Sequence, residues 1–412
     1  LLRTDQPLVK NVPGENEAAK SVSGRASISH KNTYYIISID LIISGRIGRF
    51  RRGCAVTFLY GLGAFMQRHF THRKLFTKAF AATAALAAGL IATSALAGET
   101  LDKIKARGVI KVGVGTTPGF FSPDSSGRWQ GFFVDFGRAI AITVFNDAEK
   151  VEFTNSSPQQ RLPALQSGEF DILLSGVTQT VSRAFKLGFH FGPVVFYDGQ
   201  GLLVRKDLGV SKGEELDGAT IGVQSGTTGE LNIADFFRKT GKAFTPVTIE
   251  ETGEFLKALD SGRVDALTQD ATDLAAKRTQ LSKPDDYVLL PERLSKEPLA
   301  PAIRAGDDQW LEIVNWTVYA TIQAEEFGIT KDNVDTFLKS EDPAIKRFLG
   351  VDPSLGEAIG LDPKFAYNIV KTVGNYGEIF ERNVGKGTAL NFERGYNQPW
   401  TAGGLLYSPP FR

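Results

Sequence analysis

The sequence predicts an α/β protein built from two similar lobes. Two internal echoes carry that prediction. Residues 164–174 read ALQSGEFDILL and residues 258–268 read ALDSGRVDALT. In each copy a helix runs into a glycine suited to a left-handed cap, and an aspartate then opens a strand. Upstream, residues 109–117 read VIKVGVGTT and residues 219–228 read ATIGVQSGTT, a short apolar strand entering a Gly-Thr-Thr turn. In such sheets the loops after strand C-termini line the ligand crevice. Function is therefore expected at residues 115–122, 175–183, 224–229 and 269–270.

The remaining elements follow from period and punctuation. Residues 109–114 are a strand leading into a turn rich in Gly, Pro and Ser. Phe133, Phe136, Ile140 and Val144 keep helical spacing through residue 145. Strands follow at 150–153 and 170–174, with a helix at 158–166 closed by Gly168. A strand at 201–204 leaves the first lobe. The second lobe alternates strands at 219–223, 247–249, 264–268 and 287–290 with helices at 229–239, 252–259 and 271–280. The chain returns at 298–304, so crossings near 201–205 and 298–304 are expected to form a two-segment hinge. Beyond it lie extra helices, among them one long final helix marked by Phe365, Ile369, Val373, Tyr376 and Phe380. The tail from 395 is expected to wrap the surface without regular structure. The domain reading is lobe 1 at 98–204 and 303–412, and lobe 2 at 205–302.

Charge divides the chain unevenly. Residues 1–97 hold 13 Lys+Arg against 4 Asp+Glu, and the remainder 34 against 42. An acidic body argues against nucleic acid, which needs a basic footprint. Met66 is the sole methionine. It is followed by Arg68, Arg73, Lys74 and Lys78, then an Ala-rich apolar run to residue 92 and Ala95-Leu96-Ala97. That is the layout of a secretory signal at 66–97, cleaved near Ala97, and it implies export to the periplasm. Residues 1–65 are expected to be a spurious or disordered leader. The one cysteine, Cys54, lies in that leader, so the body has no thiol for a disulfide, a metal site or lipid anchoring. His190 is the body's single histidine, between Phe189 and Phe191. A metal cluster and a Ser-His-Asp triad are both disfavoured, and no cofactor is expected. The Gly113-x-Gly115 pair lacks the third glycine of a dinucleotide fingerprint.

The crevice segments carry complementary charge. Ser175, Gly176 and Thr178 follow the first copy of the repeat, with Arg183 shortly after. Gln269 and Asp270 follow the second. A guanidinium with hydroxyls suits a carboxylate, and an ammonium wants an acid group. Thr227 and Thr228 open a helix whose free N–H groups favour an anion. Phe121 is an aromatic candidate for the same crevice. Together these residues suit a zwitterion held between the lobes. Each has an ordinary alternative: a surface arginine, a helix-capping threonine, an aspartate capping residues 271–280, a core phenylalanine. Arg128 and Arg161 are read either as facing an acidic ligand or as surface pairs, the commoner case.

The runs VGVGTTPGF, GFFVDFGRAIA, ALQSGEFDILLSGVTQTVSR, FYDGQGLLVRK, IGVQSGTTGELN and GRVDALTQD resemble the polar-amino-acid family of periplasmic solute-binding proteins of ABC importers. SKEPLAPAIRAGDDQWLEIVNW, VGNYGEIFERN and WTAGGLLYSPPFR are similar to the subgroup serving general L-amino-acid permeases. The resemblance covers residues 98–412. It implies a two-lobed type II periplasmic-binding-protein fold closing on one amino acid, without catalysis. Arg183 and Thr228, helped by Thr178, would hold the α-carboxylate. Asp270 would hold the α-ammonium, with Ser175 or the Gly176 backbone alongside. The partners implied are an L-amino acid and membrane permease subunits, and the protein is expected to be a monomer. The chain departs from the subgroup at Ala184, usually Asp, and at Gly222 and Val264, where a cysteine pair is common. Residues 174–180 also lack the usual Asn and Trp. The rival readings are an enzyme on the same fold, of the cyclic-acid dehydratase type, and a ligand-sensing domain.

Overall fold

The computed structural model describes residues 98–353, 355 and 360–412, with the backbone of four short strands nearer the N-terminus. Those four pair as Ser27–Ser29 with Ile36–Ser38 and Leu41–Ile43 with Arg46–Gly48. The expectations for a disordered leader and a cleaved signal otherwise lie outside the described residues.

The first sheet grows from Ile110–Val114, an apolar strand paired in parallel with Val151–Asn155 on one side and Ile172–Leu173 on the other. Next to Ile172–Leu173 lies the antiparallel strand Ala302–Arg304, and beyond it Phe189–Phe191. The second sheet repeats this plan. Thr220–Gln224 is flanked in parallel by Thr245–Ile249 and Ala266–Asp270, then come antiparallel Gln200–Arg205 and Tyr287–Leu289. The aspartate of each sequence echo has the same task. Asp171 exchanges bonds with Lys111, backbone N to O at 2.9 Å and carboxylate to N–H at 2.8 Å. Asp265 does so with Thr220, both at 2.8 Å. Each carboxylate supplies the acceptor that a strand-start N–H would otherwise lack.

The lobes are joined by an antiparallel ribbon, Phe196–Asp198 against Glu297–Leu299. The first crossing thus comes earlier than the sequence reading placed it. Residues 200–204, expected in lobe 1, belong with Arg205 to strand Gln200–Arg205, which pairs within the second sheet. A second correction concerns the single final helix. It is two, Phe365–Thr372 and Tyr376–Asn383. Gly374 breaks the path at φ +95°, and Asn375 restarts it in a capping box with Glu378. The tail holds two short 3-10 turns, Gly395–Asn397 and Trp400–Ala402.

Helix Phe132–Phe145 is buried on nearly every face. It packs on the first sheet and against Asp308–Glu326 and Phe365–Thr372, which explains why its sequence is apolar on most faces, the ion-paired Asp135 and Arg138 excepted. The C-terminal helices therefore thicken the first lobe. Among the described residues no helix is long and apolar enough to cross a membrane.

Candidate functional site

The C-terminal ends of the parallel strands in both sheets meet across a cavity of about 440 Å³. Gly115–Thr117, Ser175, Gly176 and Thr178 line it from the first lobe, and Gln224, Thr227, Thr228, Gln269 and Asp270 from the second. Three further segments line the wall, residues 155–161, 251–256 and 272–280, of which the sequence reading names only Arg161 as a candidate. The first follows strand Val151–Asn155, whose C-terminus lies at the same sheet edge, so the rule used for the other loops applied there too.

The lobes touch around the cavity. Thr117 Oγ1 donates to Asp273 Oδ1 at 2.5 Å. Gly226, at φ +76°, lies so close to the first lobe that an added Cβ would sit 2.7 Å from Gln159 Cα. Only glycine permits both that backbone angle and that approach.

Seven of the eight residues singled out from sequence line the cavity: Phe121, Ser175, Gly176, Thr178, Thr227, Thr228 and Asp270. Phe121 also packs on Phe133, with ring centroids 5.5 Å apart. Thr227 Oγ1 donates to the Gln224 carbonyl at 2.8 Å. Thr228 occupies the cap position of helix Gly229–Thr240 without capping it; its hydroxyl donates to Glu297 at 2.9 Å. Asp270 likewise makes no capping bond to helix Ala271–Arg278, so the helix-capping alternative does not hold for it. Burial, and then the neighbouring charges of Asp198, Glu297 and Asp273, push the Asp270 carboxyl well above the usual range. An approaching cation would relieve that load.

Arg183 is the exception. It is buried just off the cavity wall, on the turn Ser182–Lys186. Its guanidinium donates to the Thr178 carbonyl at 2.8 Å and to the Gly226 carbonyl of the second lobe at 3.4 Å. Burial lowers its pKa, opposed by Glu297 and Asp270. Arg161 takes the more prominent place. It lines the cavity while buried. Its Nη1 donates to the Ser175 carbonyl at 2.5 Å, and its Nε has no partner among the described residues. Burial, then Arg183, pushes it down to about 9. The surface-pair reading is thus wrong for Arg161. It is right for Arg128, which pairs with exposed Glu149. Lys277 adds a third cation, already paired with Asp273 at 2.8 Å. No cluster suited to a metal ion occurs among the described residues.

The sequence model of the bacterial extracellular solute-binding proteins, family 3, matches residues 110–332. The chain belongs to this family. The general L-amino acid-binding periplasmic protein AapJ of Rhizobium johnstonii is 50% identical over 335 residues, covering 80% of this chain and 98% of AapJ. The glutamate/glutamine/aspartate/asparagine-binding protein BztA of Rhodobacter capsulatus is 47% identical over 337 residues, 81% of this chain and 99% of BztA. Among solved structures, a periplasmic binding protein from Brucella ovis with glutathione bound matches with a TM-score of 0.74 and 46% identity, covering 76% of this chain and 99% of that one. The two mixed five-stranded sheets, the ribbon and the C-terminal helices of this family 3 protein are the type II periplasmic-binding-protein arrangement.

Proposed function

We propose that the protein captures free L-amino acids in the periplasm, without chemistry, and delivers them to a membrane ABC permease. One observation carries the reading: Asp270, crowded by the charges of Asp198, Glu297 and Asp273, and Arg161, whose Nε has no partner among the described residues, line the same cavity. A zwitterion satisfies both ends at once. Asp270 takes the ammonium, with Ser175 and Gly176 beside it. Arg183 and the N–H groups opening helix Gly229–Thr240 take the α-carboxylate. Thr178, Thr227 and Thr228 shape that end, and Phe121 covers the side chain. Arg161 is the partner for a carboxylate or carbonyl carried further along the ligand. AapJ and BztA, named for amino-acid binding, support this reading.

Closure follows from ligand contacts made on both lobes at once. The permease would meet the closed form, and the chain would act as a monomer exported by a signal cleaved near Ala97. A thermal-shift screen with the twenty amino acids tests the reading, because stabilisation tracks affinity for the folded state. Stabilisation by several L-amino acids and not by their D-forms is expected. A flat screen would overturn it.

A further inference from the structure

The ribbon between the lobes carries a carboxylate to which the binding reading gives no contact with the ligand. Glu297 is 1% exposed and lies outside the cavity lining. Four groups donate to it. Thr178 Oγ1 and Thr228 Oγ1 reach Oε2 at 2.5 and 2.9 Å. Asn232 Nδ2 and Ser295 Oγ reach Oε1 at 2.8 and 2.5 Å. Thr178 belongs to the first lobe, while Thr228 and Asn232 belong to the start of helix Gly229–Thr240 in the second. The carboxylate itself sits on the crossing strand Glu297–Leu299.

We propose that Glu297 is a closure clasp, a positioning residue that ties both lobes to the ribbon through protein atoms alone. Any movement parting Thr178 from Thr228 must take one set of donors away from it. Bonds to an ionised acceptor are among the stronger ones, and a buried carboxylate robbed of donors is costly. The clasp therefore favours the closed arrangement whichever amino acid is bound. It has a second effect on the site. Each hydroxyl owns one hydrogen. With those hydrogens committed to Glu297, the oxygens of Thr178 and Thr228 are left as acceptors. The donors remaining for a ligand carboxylate at that end are guanidinium and backbone N–H.

The test uses the full chain with Cys54→Ser and spin labels on cysteines placed at the exposed positions Glu152 and Glu254, one per lobe. In ligand-free protein, Glu297→Ala is expected to add a second distance population, absent or minor in the parent. Unchanged distances would overturn the clasp. With L-glutamate as probe, stopped-flow dissociation should quicken about tenfold or more while association changes little. A general folding defect lowers the active fraction and leaves the dissociation rate of what remains. Asn232→Ala removes one donor from outside the cavity and should move both readouts the same way, less far. It serves if Glu297→Ala does not fold, and wild-type behaviour there would equally overturn the clasp. A shift in the distances of a protein that binds no amino acid would support the clasp and count against the binding function.

Discussion

Gly113 and Gly222 stand at the same place in the strand next to one edge of each sheet, yet what a side chain would meet there differs. At Gly113 an added Cβ runs into Leu173 at 2.5 Å and the Phe170 ring at 2.6 Å. At Gly222 it meets Leu267 at 2.6 Å, and Val264 only at 3.5 Å. The contrast extends outward. Behind the first sheet one continuous core joins Phe132, Phe136 and Phe196 to Tyr376 and Phe380 of the C-terminal helices. The first sheet carries a second, small core around Leu165, Phe170 and Phe189, whereas both cores of the second sheet are small, one around Leu203, Phe255 and Leu274, the other around Leu202, Ile233 and Phe237. The charges facing the cavity differ as well. The first lobe brings Arg161, with Arg183 just behind the wall; the second brings Asp270 and an Asp273 already paired with Lys277. The duplicated residues build the sheet and its binding edge, while packing and charge have diverged around them.

The sharpest way to break the charge contrast is to remove one side of it. Arg183→Ala should cost about 2–5 kcal/mol of amino-acid affinity by calorimetry, because it strands a desolvated carboxylate. Asp270→Asn should weaken binding through the ammonium end. Undiminished affinity in Arg183→Ala would remove that residue from the site. Acidification probes the acidic side alone. Burial raises Asp198 from 3.8 to about 6 against the bonds it accepts from Thr272 and Gly199. A raised carboxyl contributes stability that is complete below its unfolded value and lost as pH climbs through its folded one, here about 3 kcal/mol between roughly pH 4 and 6. The melting temperature of ligand-free protein should therefore gain from this group on going from pH 7 to 5. Amino-acid affinity should fall on acidification as Asp270, also raised, takes up its proton.

Packing is tested by Gly113→Ala beside Gly222→Ala. Overfilling a tight core costs about 1–3 kcal/mol. The first substitution should lie at the upper end, since an aromatic ring is less able to give way than a leucine tip, and urea unfolding would rank the two. The smallest effect expected is selective. Arg161→Met should lower the affinity for L-glutamate by about tenfold, the value of one charged hydrogen bond, and leave L-alanine almost untouched. Equal losses for both ligands would show that Arg161 serves the cavity wall and not the side chain.

Much of this was legible in the residues. The two echoes located both sheets, and their turns supplied seven cavity-lining positions. The helix break at Gly374 was also written there, as Asn375 followed three residues later by Glu378, a capping box masked by the unbroken apolar spacing of Phe365 to Phe380. What stayed hidden depends on distant partners. For Arg161 the sequence leaves a ligand-facing and a surface reading open until the Ser175 carbonyl is seen against it. Glu297 sits in a proline-flanked crossing, and nothing local announces that donors from both lobes converge there. The cysteine positions suggested by the resemblance have a simple geometry: an added Cβ at Gly222 would lie 3.5 Å from Val264, which just precedes the neighbouring strand Ala266–Asp270.

The ordering of strands bears on biogenesis. Every strand of the second sheet comes from one continuous stretch, Gln200 to Leu289. The first sheet takes its strand next to Ile172–Leu173 from Ala302–Arg304. As the polypeptide emerges amino-terminus first, the half that begins earlier must wait for the half that begins later, holding an open apolar edge meanwhile. Such an edge is prone to mispairing. Truncations ending shortly before residue 302 should therefore aggregate, whereas one ending after the C-terminal helices should not.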